Sequence, residues 1–142
     1  MEDGFLAATA LAMLLVGICV IIHYETLHYL SRRALIPGNH RWLILGSVFG
    51  ALIAHVIEIW IFGGGYYIAV EILELGRLVP AHRDAFDFVY YSAMVYTTVG
   101  FGDLVPEGAI RMITSTEALT GLELITWSAS FSYLQMQRIW RD

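Results

Sequence analysis

Residues 85–103 read AFDFVYYSAMVYTTVGFGD, and the fold turns on this stretch. Its first part, 85–96, is apolar and aromatic, but a helix of that length rises only about 18 Å, well short of a bilayer core of about 30 Å. Asp84 stands where a helix N-cap is expected and Asp87 follows three residues on, both favourable at the positive end of a helix. The run then ends in Thr97-Thr98-Val99-Gly100-Phe101-Gly102-Asp103, with glycines at alternate positions. Glycine enters left-handed backbone without a Cβ penalty, so this loop can hold dihedrals closed to other residues. A short apolar helix, a glycine-bearing loop and a longer apolar stretch beginning near Ile110 together read as a re-entrant segment leading into a spanning helix.

The rest of the chain agrees with a bilayer setting. Apolar residues make up 58% of the 142 residues and charged residues 15%, against about 45–50% and about 25% in ordinary globular proteins. A soluble domain this small buries only about two thirds of the surface its unfolded chain exposes, too little to hide so much apolar area. The same numbers exclude disorder. A net charge of −5 and the absence of lysine exclude a nucleic-acid partner. Cys19 is the only cysteine, so neither an intrachain disulfide nor a paired-cysteine metal motif can form.

Three stretches are long and apolar enough to span. Residues 5–22 form the first, continuing into the more polar 23–29; residues 42–62 form the second, with tryptophans near both ends; the third runs from about 110 to 134, with Trp140 beyond it as an interface anchor. Glu2 and Asp3 occupy the place of a basic signal-peptide n-region and no small-residue cleavage site follows, so the first stretch is expected to be a retained helix. Arg32, Arg33 and Arg41 lie between the first two spans and Arg138 and Arg141 in the tail, whereas Arg77, Arg83 and Arg111 share the other side with seven acids. That bias places the link and the C-terminus in the cytoplasm and the N-terminus outside a cell membrane crossed several times.

The chain divides into six segments. Residues 1–35 are an extra N-terminal helix, 41–62 an outer helix, and 63–84 an external linker. Gly63-Gly64-Gly65 is expected to end the second span, residues 66–76 to form a short amphipathic helix with Ile68, Ile72 and Leu75 on one side, and Pro80 to break the chain. Residues 85–103 are the re-entrant helix and loop, 108–136 an inner helix and 137–142 a tail.

The Thr-Val-Gly-Phe-Gly string at 98–102, followed by Asp103 and set between a short apolar helix and a spanning one, resembles the selectivity filter of the potassium-channel pore-domain family, whose usual form is Thr-Val-Gly-Tyr-Gly. The likeness follows the family's order of pore helix, filter and inner helix over 85–135 and is weak over the first 80 residues. A potassium ion sheds its water only where oxygens replace it at similar distance and number. By resemblance, the ligands are the carbonyls of Thr98, Val99, Gly100 and Phe101 and the Thr98 hydroxyl, with Gly102 completing the strand. Val99 and Phe101 then turn their side chains to the surrounding protein, and Thr97, Asp103 and Tyr91 support the filter. One chain supplies one strand, so the resemblance implies a homotetramer around an axial pore. The implied fold is an all-α membrane protein with three transmembrane helices, a re-entrant pore helix and a selectivity-filter loop.

Departures from the family pattern carry expectations of their own. Phe101 replaces the commoner tyrosine and forfeits a hydrogen bond to the pore helix. Tyr90 and Tyr91 stand where many members carry paired tryptophans, and Tyr91 matches the aromatic that bonds the filter aspartate, here Asp103. Met94 stands where some bacterial members place a buried glutamate, so that acid clamp is absent and the filter is expected to be less firmly braced and to gate. Gly121, 18 residues after Asp103, is a candidate hinge or a point of close helix packing. His55, Glu58, Glu117 and Glu123 lie within spans, where ionisable groups are costly and face protein or water. They are candidates for interhelical hydrogen bonding, cavity lining or sensing; His55 and Glu58 are spaced to pair, and Glu123 is the cavity candidate. His23, Glu25 and His28 are weaker candidates for pH sensing.

No span carries arginine at every third position, so a voltage sensor is not expected, and no cytoplasmic ligand-binding domain is expected after the inner helix. The function expected is passive, potassium-selective conduction, with K⁺ as permeant ion and no other cofactor. A non-selective monovalent cation channel on the same scaffold is the alternative; a non-conducting membrane subunit is a more distant one. No catalytic residues are identified, and an enzyme is not expected.

Overall fold

The computed structural model describes residues 2–33, 40–80 and 84–141. Arg83 of the orientation argument and the side chains of Trp140 and Arg141 lie outside the described part. Of the described residues, 82% are helical. Helix α1 is Glu2–Arg33, α2 is His40–Tyr67 with a π-helical turn Ile68–Ile72 directly after it, α3 is Phe86–Tyr96 and α4 is Ile110–Arg141.

α1 and α2 are both long and apolar enough to cross a membrane. They also leave much of that apolar surface uncovered, with Leu6, Met13, Leu14 and Ile21 on α1 and Phe49, Leu52, Ile53 and Trp60 on α2 exposed. A soluble protein would bury such faces, so lipid is the solvent that fits them. α4 has the same length as α1 but carries Glu117, Glu123 and a series of threonines and serines, which makes it more polar than the other two.

α1 rests on α2 and α4, and α3 is held between α2 and α4. The inward stripe of α1 is Ala8, Ala12, Leu15, Cys19, His23 and Leu27, spaced three or four apart. Small residues along that stripe let helix backbones approach closely, the usual basis of helix association in lipid. Ala8, Ala12, Leu15 and Cys19 meet Phe62, Tyr66 and Ala69 of α2 and its π turn, Phe88, Tyr91 and Tyr96 of α3, and Ile110, Ile113 and Leu124 of α4 in one buried cluster.

Two expectations for the linker need correction. The triple glycine does not end α2, which runs on to Tyr67. Three glycines weaken a helix by about 1 kcal/mol each, yet here burial of Phe62 and Tyr66 on either side holds the turn. A Cβ on Gly63 would come within 2.9 Å of the Val89 backbone, so that glycine serves close approach of α3. The amphipathic helix over 66–76 is absent: the end of α2 and the π turn occupy it, with Ala69 buried and Ile68 and Ile72 exposed. A further correction concerns the fold class, expected to be all-α. Two short strands, β1 Gly76–Val79 and β2 Val105–Gly108, pair antiparallel with Gly76 opposite Gly108 and Arg77 opposite Glu107. Arg77 crosses to Glu107 at 2.7 Å on the exposed side, and Leu78 is buried beneath. This ribbon ties the segment before α3 to the segment after the loop.

Candidate functional site

The re-entrant reading starts from α3 and the loop it feeds. Asp84 acts as foreseen at the start of α3: its Oδ1 accepts the Phe86 amide at 2.8 Å and its carbonyl accepts the Asp87 amide at 3.2 Å. At the far end, the Thr97 amide and hydroxyl both donate to the Ala93 carbonyl, and the Thr98 amide donates to Val95. The Gly100 amide reaches back to the Met94 carbonyl at 3.1 Å, so the loop turns sharply under the helix end.

Beyond that turn the backbone alternates. Thr98, Gly100 and Gly102 have φ of 60°, 52° and 77°, while Val99 and Phe101 between them are not left-handed. Left-handed residues alternating with ordinary ones rotate successive peptide planes so that neighbouring carbonyls face the same way, instead of alternating as in a strand. Glycine makes this inexpensive at 100 and 102; Thr98 adopts it without that help. Thr97 to Asp103 are all exposed on the single chain, Val99 at 53% and Phe101 at 71%. Within one chain, then, Val99 and Phe101 are not covered by surrounding protein.

Tyr90, and not Tyr91, holds the aspartate: its hydroxyl donates to Asp103 Oδ2 at 2.7 Å. The bond to this carboxylate raises the Tyr90 hydroxyl above the usual tyrosine range, so it remains a donor at neutral pH. Tyr91 points the other way, into the core, where its hydroxyl meets Thr114 Oγ1 at 3.0 Å and its ring packs edge-on against Tyr66. Adjacent helical residues lie about 100° apart, so only one of the two tyrosines can face the loop. The buried stripe Phe88, Tyr91, Ser92, Tyr96 takes Tyr91.

Behind α3 stand two buried carboxylates. Glu117 of α4 accepts the Ser92 hydroxyl at 2.5 Å and the Tyr66 hydroxyl at 2.5 Å. Glu58 of α2 accepts the Tyr96 hydroxyl and lies 2.9 Å from His23 Nδ1 and 3.3 Å from His55 Nδ1. His23 Nε2 in turn meets Ser128 Oγ on α4 at 3.2 Å. Both carboxylates are fully buried, and each is satisfied by several donors, the condition under which a buried acid is tolerated. The expected pairing of His55 with Glu58 is therefore present, enlarged by His23 and Tyr96. Met94 leaves α3 without an acid behind the loop, but Glu117 and Glu58 reach Ser92 and Tyr96 from the neighbouring helices.

Gly121 sits against the end of α3, where a Cβ would fall 2.1 Å from the Tyr96 carbonyl. Close packing is thus what this glycine provides in the structure. Glu123 joins neither cluster; it is exposed and lies beside Val16 and Val20 of α1. Sequence reasoning passed over Tyr66, Ser92 and Tyr96 as partners of the two acids. The spacing of Ser92 and Tyr96, four apart on one helix face, was the available signal.

No curated protein and no solved structure is significantly similar to the chain. A family model described as "Ion channel" matches residues 42–136, two thirds of the chain, and takes in α2, the ribbon, α3, the loop and nearly all of α4. With that match lying over the loop geometry just described, the chain belongs to the potassium-channel pore-domain family of ion channels.

Proposed function

We propose that this ion channel is a potassium-selective pore formed by four copies of the chain. The observation that carries the reading is the alternation of left-handed residues at Thr98, Gly100 and Gly102 directly after α3. It is the backbone form that turns consecutive carbonyls toward one side, as dehydrated potassium requires. The carbonyls of Thr98, Val99, Gly100 and Phe101 and the hydroxyl of Thr98 are the proposed K⁺ ligands. Ions would enter from the Asp103 side and advance by knock-on between adjacent sites, driven only by their gradient. The negative C-terminal end of α3 favours a cation where it leaves the filter.

Exposure on the single chain supports the tetramer. Val99, Phe101 and the α4 stripe Leu119, Leu122 and Tyr133 are large, apolar and uncovered, and neighbouring copies arranged around an axis would cover them. In this arrangement α1, α2 and α4 all span the membrane, α3 and the loop enter it from outside, the N-terminus is external and the arginines of the α1–α2 link and the tail are cytoplasmic.

Reconstituted vesicles test the proposal. With potassium inside, sodium outside and a proton ionophore present, potassium efflux should drive proton uptake in vesicles that carry the chain. Gly100→Ala, which places a Cβ on a left-handed residue, should abolish the uptake. Uptake no greater than in empty vesicles would overturn the proposal.

A further inference from the structure

His23 of α1 and His55 and Glu58 of α2 converge in the membrane-buried interior, with one ligand atom from each within 4.8 Å of the others. We propose that they form a binding site for a divalent transition cation of the zinc type.

The geometry fits such an ion closely. Glu58 Oε1 lies 2.9 Å from His23 Nδ1, and Glu58 Oε2 lies 3.3 Å from His55 Nδ1. Ligands about 2.0–2.1 Å from a tetrahedral zinc stand about 3.3 Å apart, so the two Glu58 contacts already have nearly that spacing and the remaining pair, within 4.8 Å, closes onto the ion. The donor set, two imidazoles and one carboxylate, is one that zinc accepts, and it leaves a fourth position open. Tyr96, whose hydroxyl is 2.9 Å from His55 Nδ1, stands beside the cluster. The carboxylate offsets part of the ion's charge, which a bare imidazole pair would not do.

Two further observations separate this cluster from ordinary interhelical hydrogen bonding. His23 presents Nδ1 to the cluster while its other nitrogen is held by Ser128 Oγ at 3.2 Å, the outer contact that fixes the ring and tautomer of a metal-binding histidine. The cluster is also reachable. A cavity of about 610 Å³ between α2, the end of α3 and α4 is lined by His55, Tyr96 and Ser128, so an ion can approach the cluster from the His55 side. Occupancy would draw Glu58 away from Tyr96 and so bear on the end of α3 nearest the loop.

The test reads binding and needs no ion flux, which keeps it separate from the pore proposal. The full chain, purified in detergent and freed of metal with a chelator, is titrated with Co²⁺ alone and then with Zn²⁺. One Co²⁺ per chain should bind with the visible d–d absorption of a four-coordinate site, and equimolar Zn²⁺ should remove that absorption. His23→Ala and His55→Ala should each weaken binding by more than the roughly 10-fold expected for Ser128→Ala. His28→Ala, on an exposed part of α1, should leave it unchanged. Absence of the four-coordinate absorption in the unaltered chain would overturn the proposal, with no variant needed. The same affinity in the His23→Ala/His55→Ala double variant would overturn it as well.

Discussion

The two faces of α3 are built on different principles. Its back is bolted: Ser92 and Tyr96 donate to carboxylates of two other helices, all four groups are buried, and glycines at 63 and 121 let the neighbouring backbones close in. Its front is open: beyond the backbone turn at the helix end, one hydrogen bond between side chains, from Tyr90 to Asp103, joins it among the described residues to a loop that is exposed from Thr97 to Asp103. In the proposed tetramer the chain completes its back alone and leaves its front for the other copies. The difference teaches where rigidity comes from before assembly: from acids contributed to α3 by α2 and α4, not from the loop itself.

Breaking the back should have the largest effect. Glu117→Ala removes the acceptor that two buried hydroxyls share, leaving Ser92 only the Ile59 carbonyl and Tyr66 only Thr114 Oγ1, at about 1 kcal/mol for each hydrogen bond lost. The variant should lose several degrees of thermal midpoint and most of its assembled form in detergent. Glu117→Gln, which keeps one acceptor oxygen, should be milder. Equal midpoints for the unaltered chain and Glu117→Ala would show that the back is not what holds α3.

Gly121→Ala comes next. Its Cβ would collide with the Tyr96 carbonyl, and overpacking of this kind costs about 1–3 kcal/mol. The helix end would be displaced toward the loop, so transport should fall more than stability does. Gly64→Ala is the matched comparison, because nothing lies within 4 Å of the added carbon. That variant should be neutral or gain up to about 1 kcal/mol from helix propensity.

The tyrosine pair sharpens the contrast between the faces. Tyr91→Phe removes a buried bond to Thr114 and should lower stability by about 1 kcal/mol with little change in ion transport. Tyr90→Phe removes the bond to Asp103 and should do the reverse, altering transport while the thermal midpoint stays put. An exchange of these two phenotypes would return Asp103 to Tyr91. Smallest of all is Arg77→Ala: its ion pair with Glu107 is solvent-exposed, so the loss should stay below about 1 kcal/mol by the same thermal measurement.

Much of the front could be read from the chain because its signals are local. The apolar run 85–96, the Asp84 cap and the glycines at 100 and 102 each declare themselves within a few residues. The back could not be read so directly. Choosing between Tyr90 and Tyr91 needs the rotational phase of α3, which one residue's error reverses. Glu117 and Glu58 were recognisable as costly intramembrane acids, but apart from His55 their partners lie 25 to 51 residues away and emerge only when four helices pack. The β1–β2 ribbon joins segments about 30 residues apart, and strand propensity in such short pieces depends on the partner that covers them. Gly63-Gly64-Gly65 misled for the same reason, since burial against α1 and α3 overrides the weak helix propensity of glycine.

The most direct test of the account is the reversal potential of the reconstituted chain in a planar bilayer, with potassium on one side and sodium on the other. The loop geometry predicts a reversal potential displaced far toward the potassium equilibrium value. Clear current that reverses near zero would contradict it and assign the scaffold to a non-selective cation pore.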